Sequence, residues 1–197
     1  MNESASTDRR ETHRRQTASR INSTALQFAD EHGLDGFSME ELAEAADVSR
    51  RTLFNYFPGK DAAVLGDAPE LDPTVTAEFV AGKPTGHLLT DLVALVEAAL
   101  PSDAVNLQDL ARLRHVLAAE PRLMGEVFRR FDAIGEQVVR LIATREGPGH
   151  DAFRARIAFQ LLTAMFGVSI KETLANPDTP FLEVFEEAVA TARSVFA

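Results

Sequence analysis

The residues best suited to chemistry lie together between Ser49 and Lys60, in the run SRRTLFNYFPGK. Arginine matches guanine with two parallel hydrogen bonds and asparagine matches adenine in the same way. Threonine and tyrosine hydroxyls suit phosphate oxygens. Read as a helix with Val48, Leu53 and Phe57 inward, the run sends Arg50, Arg51, Thr52, Asn55 and Tyr56 outward or to its flanks. No acid occurs from Ser49 to Lys60, although the chain carries 30 Asp+Glu against 20 Lys+Arg. Three cations in an acid-free stretch of so acidic a chain point to a polyanion.

Other chemistries find little support. There are no cysteines, which excludes disulfides, thiolate metal sites and cysteine nucleophiles. None of the five histidines forms a paired ligand spacing on one helical face. Phosphate-loop, dinucleotide and nucleophile-elbow patterns are missing. No catalytic residue, metal or cofactor is therefore expected, and the chain is not expected to be an enzyme. Arg112 and His115, at i and i+3, are suited to an anionic ligand group. They equally suit a solvated helix face.

The elements that must position these groups read as helices almost throughout, so an all-α fold is expected. Ile21, Ala25, Phe28 and Ala29 share one helical face, and Gly33 stops that helix. Ser38 with Glu41 three residues on forms a capping box that opens a second helix. Its inner face is Met39, Leu42, Ala43 and Ala46. Ser49 caps a third helix, whose core pattern turns Leu53, Phe54 and Phe57 inward. Pro58-Gly59 ends it, and Lys60-Asp61 starts a fourth. The small residues Ala43 and Ala46 let the second and third helices approach closely, as in a helix-turn-helix. Two ordinary core helices would fit the same spacing.

Residues 66–86 are rich in proline and acid and read as a junction, with at most a short helix near 74–80. Helices are expected beyond it over about 87–100, 106–120, 122–144, 151–176 and 181–196. Pro121 breaks the second of these from the third. The net charge is −10, and most of the acidity lies after residue 60. The earlier bases cluster at Arg9, Arg10, Arg14, Arg15 and Arg20, then at Arg50, Arg51 and Lys60. A small DNA-binding unit on an acidic body has this distribution, and so does a solvated surface. No apolar run approaches the ~20 residues that span a bilayer. Met1–Arg20 is polar, so no signal peptide is expected. A cytoplasmic location without a membrane partner follows as the expectation.

From about Arg14 to Leu65 the chain resembles the N-terminal domain of the TetR family of transcriptional regulators. The matching residues are Ile21, Ala25, Phe28, Gly33, Phe37-Ser38-Met39, Leu42-Ala43, Ala46, Val48-Ser49, Thr52-Leu53-Phe54, Tyr56-Phe57 and Lys60-Asp61. The resemblance implies an all-helical homodimer of roughly nine helices per subunit. Residues 1–13 would be a flexible arm, 14–66 the helix-turn-helix domain, and 67–197 a ligand-binding and dimerisation domain. Arg14, Arg15, Ser38, Ser49, Arg50, Arg51, Thr52, Asn55, Tyr56 and Lys60 become the DNA-binding candidates. Three positions depart from the pattern. Asp47 and Arg51 stand where the family usually has glycine, and Phe54 where it usually has tyrosine. If the turn needs a positive φ, aspartate is among the better substitutes for glycine.

The resemblance also sets the helix from Arg122 beside a ligand cavity. Phe128, Phe131, Phe159 and Phe166 would wall it, with Arg112 and His115 at a polar end. Such walls favour an apolar or amphipathic small-molecule effector. Ile157, Leu161, Met165, Val168, Phe185 and Val189, on the last two helices, would form a four-helix dimer interface, although packing within one subunit accounts for the same stripes. The function expected is a homodimeric repressor, bound to a palindromic double-stranded DNA operator and released by its effector. The rival is a helical small-molecule carrier or enzyme whose helix-turn-helix is structural only. Salt-sensitive retention on heparin separates the two, because a chain of charge −10 binds there only through focused cations.

Overall fold

A computed structural model of the chain describes residues 2–67, 71–99, 106–149, 151–176 and 178–195, apart from the side chains of 2–9 and 11. Among these residues there are ten helices and no strand, against the nine or so expected. They are α1 (Asn2–His32), α2 (Met39–Ala45), α3 (Arg50–Tyr56), α4 (Lys60–Leu65), α5 (Pro73–Val80), α6 (Leu88–Ala99), α7 (Leu107–Ala119), α8 (Arg122–Glu146), α9 (Ala152–Ala175) and α10 (Phe181–Val195). The expected helix ends at residues 100 and 196 lie outside the described residues. Residues 2–13 continue α1 rather than forming a separate arm. No glycine or proline interrupts the sequence before Gly33, so nothing local stops the helix there.

The chain forms two compact units. The first is Met1–Ala68 with Gln108–Val127, and the second is Pro69–Leu107 with Phe128–Ala197. Residues 108–127, grouped by the sequence with the C-terminal domain, thus pack in the first unit. Their contribution is apolar: Val116 and Leu123 are buried in the same cluster as Ile21, Leu42, Leu53 and Phe57.

Polar ties fix the first unit around α1. Asn22 Nδ2 donates to the carbonyls of Ala63 and Val64, at 2.7 and 2.9 Å, which holds α4 on α1. Ser23 Oγ donates to Asp109 at 2.6 Å. Gly33, at φ +73°, reverses the chain after α1. The next amide, that of Leu34, donates to Glu120 Oε1 at 3.3 Å.

The second unit is built on aromatic packing and one buried ion pair. The Phe181 and Phe185 rings stack at 6.0 Å, and Phe166 meets both edge-on. Arg145 Nη2 donates to Asp91 Oδ2 at 2.6 Å, and both side chains are buried. Asp91 also accepts from the backbone amide and hydroxyl of Thr85 and from the amide of Gly86. Arg145 reaches the Phe79 carbonyl at 3.0 Å and lies 4.9 Å over that ring. Burial alone would raise the Asp91 carboxyl. The hydrogen bonds from Thr85 and Arg145, with the arginine's charge, outweigh it and hold the group below the ordinary aspartate value.

The helix α9 is apolar on both sides. Leu162, Met165, Ser169 and Thr173 face the interior, while Phe153, Ile157, Leu161 and Val168 are exposed. By length and composition it is long and apolar enough to cross a bilayer, a property the sequence reading missed. A core helix of a globular protein meets the same test.

Candidate nucleic-acid interface

The helix-turn-helix is held by its caps. Glu41 N donates to Ser38 Oγ at 3.1 Å, and Ser38 N donates back to Glu41 Oε2 at 2.7 Å. The Ser38 hydroxyl also donates to that carboxylate at 2.8 Å. These bonds, the hydroxyl first and then the backbone amide, hold the Glu41 carboxyl below its usual value. The hydroxyl of Ser38, a candidate for phosphate, is therefore already engaged.

Between α2 and α3 the chain reverses in four residues, Ala46 to Ser49. Asp47 takes φ +51°, the one non-glycine among the described residues with positive φ. Its amide donates to Glu44 O at 3.1 Å, and the Val48 amide to Ala43 O at 3.0 Å. Ser49 then caps α3 by accepting from Thr52 N at 3.0 Å, and its hydroxyl meets that of Thr52 at 2.7 Å.

On α3, Leu53 is fully buried and Phe57 follows it one turn on. Arg51 and Asn55 are exposed, pointing away from that core, while Thr52 and Tyr56 are half-buried flanks. Arg50 Nη1 lies 3.0 Å from Glu40 Oε1 of α2, and its guanidinium sits 5.6 Å over the Phe54 ring. Phe54 is 42% exposed, contrary to the inward orientation of the core pattern. On a seven-residue helix, Leu53 and Phe57 share the buried face, and position 54 is turned ~100° away from it. That offset was the signal available in the sequence. Arg14 and Arg15 are exposed on α1.

Lys60 is engaged within its own unit. Its Nζ donates to the Leu34 carbonyl at 2.8 Å and lies 5.0 Å over the Phe37 ring. It closes the start of α4 onto the turn after α1.

The six ligand candidates are divided between the two units, Arg112 and His115 in the first and the four phenylalanines in the second. Arg112 pairs with Asp109 at 3.2 Å, and His115 Nδ1 pairs with Asp30. The first pair lies within α7, and the second ties α7 to α1. In the second unit, Phe128 and Phe131 are exposed on α8, at 63% and 40%. Phe159 packs so closely on Gly135 that a Cβ there would stand 2.8 Å from its ring. Phe166 belongs to the aromatic cluster of α10. A cleft of about 260 Å³, lined by Leu88, Ile142, Glu146, Pro148, Gly149, Asp151, Arg154 and Ala155, includes none of the six. No group of metal-ligating side chains occurs among the described residues.

The dimer candidates divide by burial. Ile157, Leu161 and Val168 are exposed on α9, whereas Met165, Phe185 and Val189 lie in the core of their own unit. Helical spacing marks an apolar stripe without saying which stripe a subunit covers for itself.

A capped helix-turn-helix with an exposed, cation-bearing second helix defines a DNA-binding module. Residues 21–65 match the family described as bacterial regulatory proteins, tetR family. The chain thus carries a tetR-type DNA-binding domain over residues 21–65, the mark of a transcriptional regulator. It is 25% identical to the HTH-type transcriptional regulator TcmR of Streptomyces glaucescens, over 90% of this chain and 81% of that one. Over 51 residues it is 37% identical to the regulator MftR of Mycobacterium tuberculosis, named for mycofactocin biosynthesis, covering 26% of each chain. A solved structure of a transcriptional regulator from Pseudomonas aeruginosa PAO1 shares the fold, with a TM-score of 0.50 and 20% identity. It covers 92% of this chain and 91% of that one.

Proposed function

We propose that the chain is a homodimeric, effector-released repressor that reads a palindromic operator with α3. The carrying observation is the exposed pair Arg51 and Asn55, opposite the buried Leu53, in a stretch free of acids. Each subunit inserts α3 into one major groove. Two-fold symmetry then requires inverted half-sites about one helical turn or a multiple apart. The uncovered face of α9, carrying Ile157, Leu161 and Val168, supports pairing of the subunits there. Operator binding places the protein in the cytoplasm with its DNA.

The exposed Phe128 and Phe131 support an apolar or amphipathic effector bound against the first half of α8. Such a ligand releases DNA only by binding the DNA-incompetent conformer more tightly, and the coupling is reciprocal. The test has two parts. Selection from a random duplex pool returns an inverted repeat. Titration of hydrophobic ligands with and without that duplex returns affinities that differ about 5- to 150-fold. A selected site without symmetry rejects the dimeric reading, and equal ligand affinities reject the switch.

A further inference from the structure

Phe54 is a large apolar ring on the face of α3 where polar groups are expected. It belongs to no core cluster, and its exposure is far above that of Leu53 or Phe57. Arg50, one turn earlier, covers one face of the ring, and Glu40 holds the arginine there. The rest of the ring stays in water until α3 docks. The apolar group that the major groove offers such a ring is the C5-methyl of thymine.

We infer that Phe54 is a specificity-determining residue that recognises the methyl group of a thymine in each half-site. The inference rests on α3 being the reading helix. Residues 50 and 54 are ~6 Å apart along the helix axis, while successive bases on a strand are ~3.4 Å apart. The methyl contact therefore falls within one or two base pairs of whatever Arg50 touches. A tyrosine at this position would carry a hydroxyl to the ring's far edge. Phenylalanine leaves that edge without a polar group to satisfy, which suits an apolar contact.

The test uses the full-length chain and a duplex that it selects from a random pool. Each thymine is replaced in turn by deoxyuridine, which removes the methyl and changes no hydrogen-bonding group. At one thymine per half-site, wild type is expected to lose about fourfold in affinity, the factor for burying one methyl-sized group. F54A should bind the thymine and uracil duplexes equally, and F54L should keep part of the difference. Far-ultraviolet circular dichroism confirms that the variants are folded. If no uracil substitution weakens wild type by more than twofold, the inference is wrong and Phe54 rests on sugar or solvent. If F54A keeps the full uracil penalty, another residue reads the methyl. A chain that selects no sequence rejects the DNA reading itself, whereas a selected but methyl-insensitive site rejects this inference alone.

Discussion

The ammonium group of Lys60 donates to the main-chain carbonyl of Leu34 at 2.8 Å, across 26 residues of sequence. With the Phe37 ring beneath it, the lysine is a clamp between the start of α4 and the turn after α1. Lys60→Met should keep the stem's packing and lose the charged hydrogen bond. It should lower stability by ~1.5–3 kcal/mol while the salt dependence of DNA binding stays unchanged. Urea unfolding and a salt titration read the two effects. A flatter salt slope at unchanged stability would return Lys60 to the phosphate contacts.

Asp47 holds a left-handed backbone at φ +51°. That conformation costs an L-residue ~1–2 kcal/mol, and aspartate less. Asp47→Gly should relieve the strain and raise stability by up to ~1 kcal/mol, offset partly by the greater freedom of glycine when unfolded. The denaturation midpoint should rise with the slope unchanged. A clear fall would mean that the aspartate side chain contributes more than its backbone strain costs.

The Asp91–Arg145 pair makes the second unit sensitive to acid. The folded-state value of Asp91 lies below the ordinary 3.8. Its stabilisation is thus complete above the unfolded value and is lost as pH falls through the folded one. Asp91→Asn leaves a buried guanidinium unpaired and should cost ~3–5 kcal/mol at neutral pH. In an Asp91→Asn/Arg145→Met chain, the part of the stability loss below about pH 4 that comes from this pair should vanish. Thermal midpoints at several pH values, compared between wild type and double variant, read the difference. Identical acid profiles would show that Asp91 does not contribute.

On α9 and α10 the exposed and buried apolar positions should respond oppositely. Ile157→Glu or Val168→Glu places a charge on a face open to solvent in the single subunit. Either should give a folded monomer at micromolar concentration by light scattering, with weakened operator binding. Phe185→Ala, at a fully buried ring, should instead cost ~3–5 kcal/mol of stability. A dimer that survives both glutamate substitutions would place the interface elsewhere.

The helix-turn-helix was legible because its signals are local. A capping box spans four residues, the turn four, and the buried pair Leu53 and Phe57 one helical turn. The resemblance added the family from residues already lined up in order. What escaped the sequence depends on partners far along the chain. The sequence shows that Lys60 is charged, but not that Leu34 waits for it. Arg112 and His115 share a face of α7 by spacing alone. That this face meets α1, where Asp30 lies 85 residues earlier, is set by tertiary packing. The same limit applies to the α9 and α10 stripes, where Met165 is buried and Ile157 exposed although the two are equally apolar as letters. Phe54 is the intermediate case: its helical angle excluded it from the core, yet its composition suggested core.

The membership of Val116 and Leu123 in the first unit bears on how such proteins can be recombined. A chimera joined near residue 66 would carry the DNA-reading helices onto a new body but leave behind two side chains that fill their core. Each vacancy is worth a large-to-small core substitution, ~1–5 kcal/mol, so the graft would arrive with two holes. A junction that keeps 108–127 with the first segment needs two crossovers instead of one. In this chain the reading head is discontinuous along the gene although continuous in space. Exchange of operator specificity between relatives is therefore easier by changing letters within α3 than by exchanging whole segments.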